Sequence, residues 1–276
     1  MARVLPRADK AKEEAQGEMG GSRKVAGRVV CRLAVVAALG VAGVGVWRSI
    51  PGAGASGAAD FSVIAGGATT APTTGGTPGL ETELERPEDV AADASGNVIV
   101  CDTFRSEVEV LAESTADPGY MIGSGATWTP GTVYVIAGDV ARSPAPVTTG
   151  SAAASTGLGS PEGVAVDENG NVLIADTGDD EVEVLAMSAT NPGYVLGTGA
   201  AWIPGDLYVI AGLGRARITP TPTSSGAPAT TVGLDAPAGI AVDGAGNVLI
   251  ADSGHNLVEA LAVGSVRPGY AAGSSS

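Results

Sequence analysis

Three aspartates hold the same place in a repeated segment of this sequence. Asp102, Asp176 and Asp252 each directly follow four small or apolar residues, a pattern that predicts a buried strand. Carboxylates repeated in this way could form a ring on one face of the fold and hold a divalent cation. They could instead accept hydrogen bonds from nearby main-chain amides. We favour the structural role, because a residue present in every copy suits a scaffold better than a single site.

The loop after each aspartate supplies the remaining candidates for a binding surface. Asp179 and Asp180 follow Asp176 closely, and His255 takes the place of Asp179 in the third copy. His255 is the only histidine of the chain, so a zinc site built from several histidines is excluded. We expect His255 to be a solvent-exposed loop residue. The complete set of candidate binding residues is Asp102, Asp176, Asp179, Asp180, Asp252 and His255.

Other signatures of catalysis are missing from the sequence. It contains no G-x-S-x-G nucleophile motif, no phosphate-binding loop and no arrangement of cysteine with histidine. Cys31 and Cys101 are the two cysteines, and Cys101 lies where the other copies have alanine. We interpret Cys101 as a small core residue. We therefore predict a protein without catalytic residues, bound metal or cofactor.

A D-x-x-G-N pattern recurs at residues 93–97, 167–171 and 243–247. It resembles the start of a calcium-binding loop, but it lacks the full ligand spacing and the terminal glutamate. Segments rich in Asp and Asn, with glycine at a left-handed position, are typical of hairpin turns. We interpret the three segments as such turns.

Composition favours an all-β fold. The chain has 276 residues, of which 44% are hydrophobic, 42 are glycine and 17 are proline, whereas aromatic residues make up 4%. Many turn-forming residues and few aromatics predict short strands around a core of Val, Ile, Leu and Ala. Residues 49–276 carry 26 acidic and six basic residues, so the body cannot neutralise phosphates and nucleic acid is excluded as a partner.

The repeat itself predicts the elements that position these residues. Similar segments begin at Pro87, Pro161 and Pro237, and the full repeats start near 84, 158 and 234. In the second copy we predict strands at 163–167, 172–175, 181–185 and 207–211. The third of these alternates charged and apolar residues, so we expect Val182 and Val184 to point inward and Glu181 and Glu183 to face solvent.

Two further segments of each repeat are distinctive. An insert after the third strand carries Tyr120 and Trp128 in the first copy and Tyr194 and Trp202 in the second. We expect these rings to pack over the outer strand, the alternative being an aromatic surface for sugars or peptides. The connections 138–160 and 212–236 are rich in Thr, Pro, Ala and Ser, and we expect them to be mobile.

The phrase P-x-G-V-A-V-D-x-x-G-N-V-x-I-A-D-T-G resembles the NHL repeat, and the resemblance extends over residues 61–276. It implies β-propeller blades of four antiparallel strands each. It also implies an alternative function, that of propeller lactonases or lyases, for which Asp102, Asp176 and Asp252 would have to converge on a metal ion. The first copy departs from the pattern, with Asp89, Ala92 and Phe104 in place of Gly163, Val166 and Gly178.

The strand count leaves the closure of the array open. The phrase at Phe61–Gly66 resembles the fourth strands around 134–138 and 208–212, and the third copy lacks such a phrase. Three blades are fewer than the 4–8 of closed propellers. Two interpretations remain: an incomplete, open array, or two chains that close head to tail into a six-blade ring, as a homodimer.

The N-terminal segment 1–60 predicts export. Residues 1–32 form a basic n-region, 33–47 are uncharged and suit a signal-peptide core or a transmembrane helix, and 48–60 form a flexible linker before the propeller segment 61–276. The basic flank places the N-terminus inside and the blades outside the membrane. The leading hypothesis is a non-catalytic, extracytoplasmic binding or assembly module whose partner is a protein or glycan at the cell surface. The alternatives are the enzyme above and a truncated array without retained activity.

Overall fold

Strands make up nearly all the secondary structure of the described residues. The computed structural model describes residues 61–139, 145–215 and 226–264. The predicted n-region, apolar segment and linker of residues 1–60 lie outside these ranges, as do parts of both long connections. Within the described ranges, no helix is both long enough and apolar enough to cross a membrane.

The strands form three antiparallel sheets, which follow one another along the chain and which we call the first, second and third blades. The first blade has the strand order β1-β5-β4-β3-β2, with β1 Thr77–Pro78, β2 Pro87–Ala92, β3 Val98–Asp102, β4 Glu107–Leu111 and β5 Thr132–Gly138. The second has the order β6-β10-β9-β8-β7, with β6 Ser151–Ala152, β7 Gly163–Val166, β8 Val172–Asp176, β9 Glu181–Leu185 and β10 Asp206–Gly212. The third contains β11 Pro237–Val242, β12 Val248–Asp252 and β13 Leu257–Leu261. Short 3-10 helices lie at Gly79–Glu81, Ala153–Ser155 and Ala229–Thr231.

This architecture confirms the prediction of an all-β fold built from propeller-like blades. The four strands predicted for the second repeat are β7 to β10, and their bounds differ from the predicted ones by at most one residue at either end. The segments were identifiable because continuous apolar runs such as Val172–Ala175 are bounded on both sides by turn-forming residues.

The first and second blades each have a fifth strand that the sequence did not predict. In the second blade it is β6, which pairs with the edge of β10. β6 belongs to the connection 138–160, where we expected mobility. The described residues 145–160 cover the edge of β10 and make local contacts, for example through the Thr156 hydroxyl, which donates to the Ala152 carbonyl at 2.7 Å.

The core consists of two layers, each sandwiched between successive blades. One joins side chains of the first blade, such as Val108, to side chains of the second, such as Val164 and Ile174. The other joins the second and third blades. Cys101 is fully buried in the first layer, which confirms it as a small core residue. Successive blades therefore bury their faces against each other.

The prediction that Glu183 faces solvent is wrong. Its neighbours Val182 and Val184 are buried as expected, but Glu183 is also fully buried and Glu181 is half-buried. The reason is that β9 has a paired strand on each side and a neighbouring blade over each face of its sheet. Alternation places Glu183 on the opposite face from the valines, and that face is covered by the first blade.

The D-x-x-G-N segments are the predicted hairpin turns. Asp167 Oδ1 accepts hydrogen bonds from the main-chain N–H groups of Asn169 and Asn171, at 2.8 and 2.9 Å. Gly170 between them has φ +82°, a left-handed conformation that favours glycine. The first and third copies repeat these contacts around Asp93 and Asp243.

The aromatic residues pack over the outer strands, as predicted. Tyr194, Trp202 and the β10 residue Tyr208 form a stack with ring centroids 6.0 and 5.3 Å apart. The equivalent rings of the first blade stack in the same way. Both tyrosines of the second stack are almost fully buried, and Trp202 donates its ring N–H to the Ser188 carbonyl at 2.9 Å. These rings are therefore part of the blade structure.

The two ends of the array differ from its interior. The phrase Phe61–Gly66, predicted as a strand, is not in a strand, and Phe61, Val63 and Ile64 are 105%, 71% and 49% exposed. At the other end, β13 pairs only with β12 among the described residues, whereas β4 and β9 pair on both sides. The strand prediction fails because no strand of the described residues pairs with this segment.

Candidate functional site

Each blade carries a cluster of carboxylates where its second strand ends. In the second blade, Asp176 ends β8 and lies opposite Glu181 on β9. Glu183 is two residues further along β9 on the same face, which places it diagonally from Asp176, at a Cα separation of about 7–8 Å. We call these groups the carboxylate clusters: Asp102, Glu107 and Glu109 in the first blade, Asp176, Glu181 and Glu183 in the second, and Asp252 and Glu259 in the third.

The three predicted aspartates are fully buried and hold the main chain. Asp176 accepts the N–H of Gly159 on both carboxylate oxygens, at 2.7 and 2.8 Å. Asp102 accepts the N–H of Glu85 at 2.7 and 3.0 Å. Asp252 accepts that of Asp235 at 2.9 Å. Each aspartate thus ties the beginning of its own repeat to the end of its second strand, which is the structural role favoured from the sequence.

The glutamates at the middle of the third strands have no such partners. Both carboxylate oxygens of Glu109 and Glu183 are buried without a hydrogen-bond partner, and those of Glu259 are buried beside Asp252. Burial raises the pKa of Glu183 well above its ordinary value, and the neighbouring Asp176 raises it further. Burial and then Asp102 do the same for the pKa of Glu109. Burial and then Asp252 raise the pKa of Glu259 to about 7.

The pKa values of two of the aspartates are also raised by burial. Burial raises the pKa of Asp102 to about 6, against the opposing effect of its hydrogen bond from Glu85. Burial, followed by the charge of Asp179, raises the pKa of Asp176. The pKa of Glu181 is raised to about 7, first by burial and then by Asp179. The clusters therefore bind protons more tightly than free carboxylates do.

Each cluster meets a different cation. In the first blade Arg105 pairs with Glu107 at 3.1 Å. In the second, the equivalent position is Asp179, which pairs with Arg215 of the following connection at 2.8 Å. In the third it is His255, which lies 2.8 Å from Asp252. Arg105 and His255 at this loop position thus lie beside carboxylates, whereas Asp179 adds a further negative charge that Arg215 partly offsets.

His255 differs from its prediction as an exposed loop residue, because its side chain is only 14% exposed. The hydrogen bond to Asp252 holds the ring against the loop and raises the pKa of the imidazole. Asp180 also has a structural contact, since its carboxylate accepts the N–H of Ala236 at 2.8 Å. Of the six candidates, the structure brings Asp176 together with Asp179, and Asp252 together with His255.

Open space near these residues is limited. Within the described ranges, no three His, Cys, Asp or Glu side chains are grouped so as to hold a metal ion. Two clefts, of about 150 and 220 Å³, lie at the hairpin turns between neighbouring blades, one beside Asp167 and Tyr194 and the other beside Asp93 and Tyr120. Both are smaller than the several hundred Å³ usual for small-molecule sites.

Sequence reasoning missed the residues whose environment is most unusual. Local alternation assigns Glu109, Glu183 and Glu259 to the solvent side of their strands. A signal was available: the preceding strand is apolar on both faces, which indicates a sheet interior covered on both sides. The exposure of Val90 and Val258, at the two ends of the array, was also missed, because the equivalent residues of the second repeat, Val164 and Val182, are buried.

Comparison with known proteins supports the repeat assignment. The family model of the NHL repeat matches residues 158–185, so the second repeat is an NHL repeat, as the sequence phrase suggested. No curated protein matches the chain.

Three solved structures show partial similarity to the chain. A structural genomics protein of unknown function from Bacteroides thetaiotaomicron VPI-5482 has 16% identity and a TM-score of 0.41, over 60% of this chain and 32% of that one. An auxiliary nutrient binding protein from Bacteroides ovatus ATCC 8483 has 12% identity and a TM-score of 0.43, over 67% and 39%. A streptogramin B lyase has 11% identity and a TM-score of 0.26, over 63% and 53%. The chain thus spans about a third to a half of the length of these proteins.

Proposed function

We propose that this chain is a non-catalytic binding and assembly module that works through the ends of its blade array. The observation that carries the proposal is the exposure of apolar side chains there. Val258 on β13 is 80% exposed, whereas its counterparts Val108 and Val182 are fully buried. Val90 on β2 is 54% exposed, whereas its counterpart Val164 is 3% exposed. The same positions are buried wherever a neighbouring blade covers them, so a binding partner at the array ends would cover Val90 and Val258 in the same way.

The carboxylate clusters support a scaffold role for the interior. A catalytic carboxylate must reach substrate or metal, but Asp102, Asp176 and Asp252 are fully buried and bind main-chain N–H groups of their own repeats. The same use of one residue type in every copy is a feature of the blade. Val90 and Val258 at the array ends differ from their counterparts in exposure, and we propose binding at those ends.

A photo-crosslinking amino acid at position 258 of the full chain tests this proposal. We expect the photo-crosslinking amino acid in place of Val258 to form a crosslink to a protein partner in cells that produce the chain. The matched control is Val195, which is 66% exposed on the insert of the second blade, away from both ends. Crosslinking at Val195 equal to that at Val258, or none at Val258, would contradict a binding role for the array end.

The location we propose for the module is extracytoplasmic, with the N-terminal segment as signal peptide or anchor. Its support is the basic residues before the uncharged run 33–47. Protease added to intact cells should digest the blades if this is correct. Blades that resist the protease until the cells are lysed would contradict the location without affecting the binding role.

A further inference from the structure

We infer that the partner of this module is a second copy of the same chain, joined head to tail in a two-copy ring. In this arrangement the third blade of each copy packs on the first blade of the other. The inference rests on the proposed function and names the partner of the same surface. It follows from three features of the array ends, each of which is one half of a contact that the chain already makes twice internally.

The first feature is the apolar contact between successive blades. Val108 of the first blade and Val164 of the second lie in one core layer and are 0% and 3% exposed. The equivalent layer between the second and third blades buries Val182 with Ile240. The next members of this series are Val258, on the free face of the third blade, and Val90, on the free face of the first. Val258 and Val90 are therefore the two sides of the contact that the third blade of one copy would make with the first blade of the other.

The second feature is a polar contact between the same faces. The Thr103 hydroxyl donates to the Pro161 carbonyl of the following blade at 2.7 Å. The Thr177 hydroxyl donates to the Pro237 carbonyl, also at 2.7 Å. In the third blade the equivalent hydroxyl belongs to Ser253, which is exposed, and the equivalent proline of the first blade is Pro87. Pro161 and Pro237 are buried, whereas Pro87 is exposed. A second copy would complete this contact.

The third feature is the outer edge of β13, with which no other strand of the described residues pairs. In the first two blades this edge is covered by strands ending in Val-Ile-Ala-Gly, at 135–138 and 209–212, and Phe61–Gly66 ends in the same four residues. Gly66 has φ +86°, close to the +97° and +94° of Gly138 and Gly212.

The spacing of this segment also fits. The segment from Gly66 to Pro87 is similar in length to the two that connect the corresponding glycines and prolines, Gly138 to Pro161 and Gly212 to Pro237. A first blade placed on the third blade of another copy therefore brings its own Phe61–Gly66 alongside the partner's β13.

The direction of these contacts determines the assembly. The two faces are different, so the contact is heterologous and leads either to a closed ring or to an open filament. The three blades that the structure describes in each copy make six in two copies, which lies within the range of 4–8 blades found in closed propellers. When two copies close the ring, the apolar contact, the polar contact and the strand pairing are all completed at both ends of each copy.

The test uses two variants of the full chain in mild detergent, Val90→Asp and Val258→Asp, with protein mass measured by light scattering after size exclusion. Each substitution puts a charge into one face of the proposed contact, at an exposed position that should not affect folding. Circular dichroism and the thermal midpoint establish that both variants are folded. Physiological salt is used, because residues 49–276 of each copy carry a net charge of −20 and repel the other copy at low salt.

We expect the unchanged chain to have twice the mass of a single copy, and each variant alone to be monomeric. An equal mixture of the two variants should return to twice the mass, because one unaltered third blade then meets one unaltered first blade. Val195→Asp should remain dimeric. A Val90→Asp chain that stays dimeric would overturn the head-to-tail contact, since a contact that tolerates a charge at position 90 does not use the free face of the first blade.

The remaining outcomes also separate the two proposals. A monomeric unchanged chain or a series of higher masses would overturn the two-copy ring. If the crosslink at Val258 identifies a different protein while the chain is monomeric, the array end is a binding surface but its partner is not a second copy. If the chain is monomeric and no crosslink forms, both proposals fail.

Discussion

Glu183 lies between the first and second blades, with both carboxylate oxygens buried and without a hydrogen-bond partner. An ionised carboxylate in this position costs several kcal/mol of desolvation, so the folded chain favours the protonated form. Asp176 beside it is also buried, and its pKa is raised for the same reason. A pair of neighbouring carboxyl groups therefore retains protons in the folded state at pH values at which the unfolded chain has lost them.

This retention predicts an unusual dependence of stability on pH. The folded pKa values exceed the unfolded ones, so the folded chain binds more protons between about pH 4 and the raised values of about 6 for Asp102 and about 7 for Glu181 and Glu259. By linkage, the free energy of unfolding is largest at the acidic end of this window and falls as the pH rises through it. Urea unfolding at about pH 5 and about pH 8 should show lower stability at about pH 8.

The variant Glu183→Gln isolates the contribution of one carboxylate. It keeps the size of the side chain but carries no charge, so it should be more stable than the unchanged chain at about pH 8 and show a shallower pH dependence. Glu168→Gln, at an exposed turn position, is the matched control and should leave the pH dependence unchanged. Stability that rises between the two pH values, or an unaltered slope in Glu183→Gln, would contradict this interpretation of the clusters.

The sequence could predict the structural role of Asp176 but not the burial of Glu183. A repeated aspartate after a buried strand has few roles besides holding main-chain amides, and the hydrogen bonds to Gly159 confirm it. Whether a glutamate in an alternating strand faces solvent depends on what covers the second face of its sheet. That information comes from the packing of blades against each other and is not contained in the local pattern.

At the scale of the elements, each hairpin turn is locked to the insert that follows the third strand. Asn171 is fully buried and its side-chain oxygen accepts the N–H groups of Met187 and Ser188, at 2.8 and 2.9 Å. Asp167 accepts the Tyr194 hydroxyl at 2.9 Å. The same lock joins Asn97 to the N–H groups of Glu113 and Ser114 in the first blade. The turn therefore positions the insert and its aromatic stack.

This lock makes Asn171 more important for stability than its place in a turn suggests. Asn171→Ala removes the acceptor of two main-chain N–H groups and should lower the free energy of unfolding by about 2–4 kcal/mol. Asn169→Ala changes the same residue type in the same turn, but at an exposed position. It should change the free energy of unfolding by less than about 0.5 kcal/mol. Equal effects of the two substitutions in urea unfolding would show that the insert is not held by this turn.

The elements were predictable to very different degrees. β7 to β10 were visible because apolar runs, turn residues and the regular recurrence of the repeat agree with one another. The short strands β1 and β6 were not, because two residues have no periodicity and pair only through the edge of another strand. The three internal copies also revealed the hairpin turns, whose Asp, Gly and Asn each meet a separate backbone requirement.

At the scale of the molecule, the interior blade contacts are complete and the end contacts are not. Val164 is buried by the first blade, while Val90 has no blade before it and Val258 has none after it among the described residues. The repeat count alone left an open array and a closed pair of chains as alternatives. The proposal of a pair rests on the exposure of the matching halves, which the repeat count does not contain.

Hydrogen exchange in the segment Phe61–Gly66 distinguishes a closed pair of chains from an open array. If two copies close the array, Ser62 and Ala65 lie opposite the partner's β13, as Tyr208 and Ala211 lie opposite β9, and their amides should exchange as slowly as those of Tyr208 and Ala211. The Val258→Asp chain provides the unassembled reference, in which Ser62 and Ala65 should exchange rapidly while Tyr208 and Ala211 remain protected. Exchange at Ser62 and Ala65 that is equally fast in both chains would contradict the head-to-tail closure.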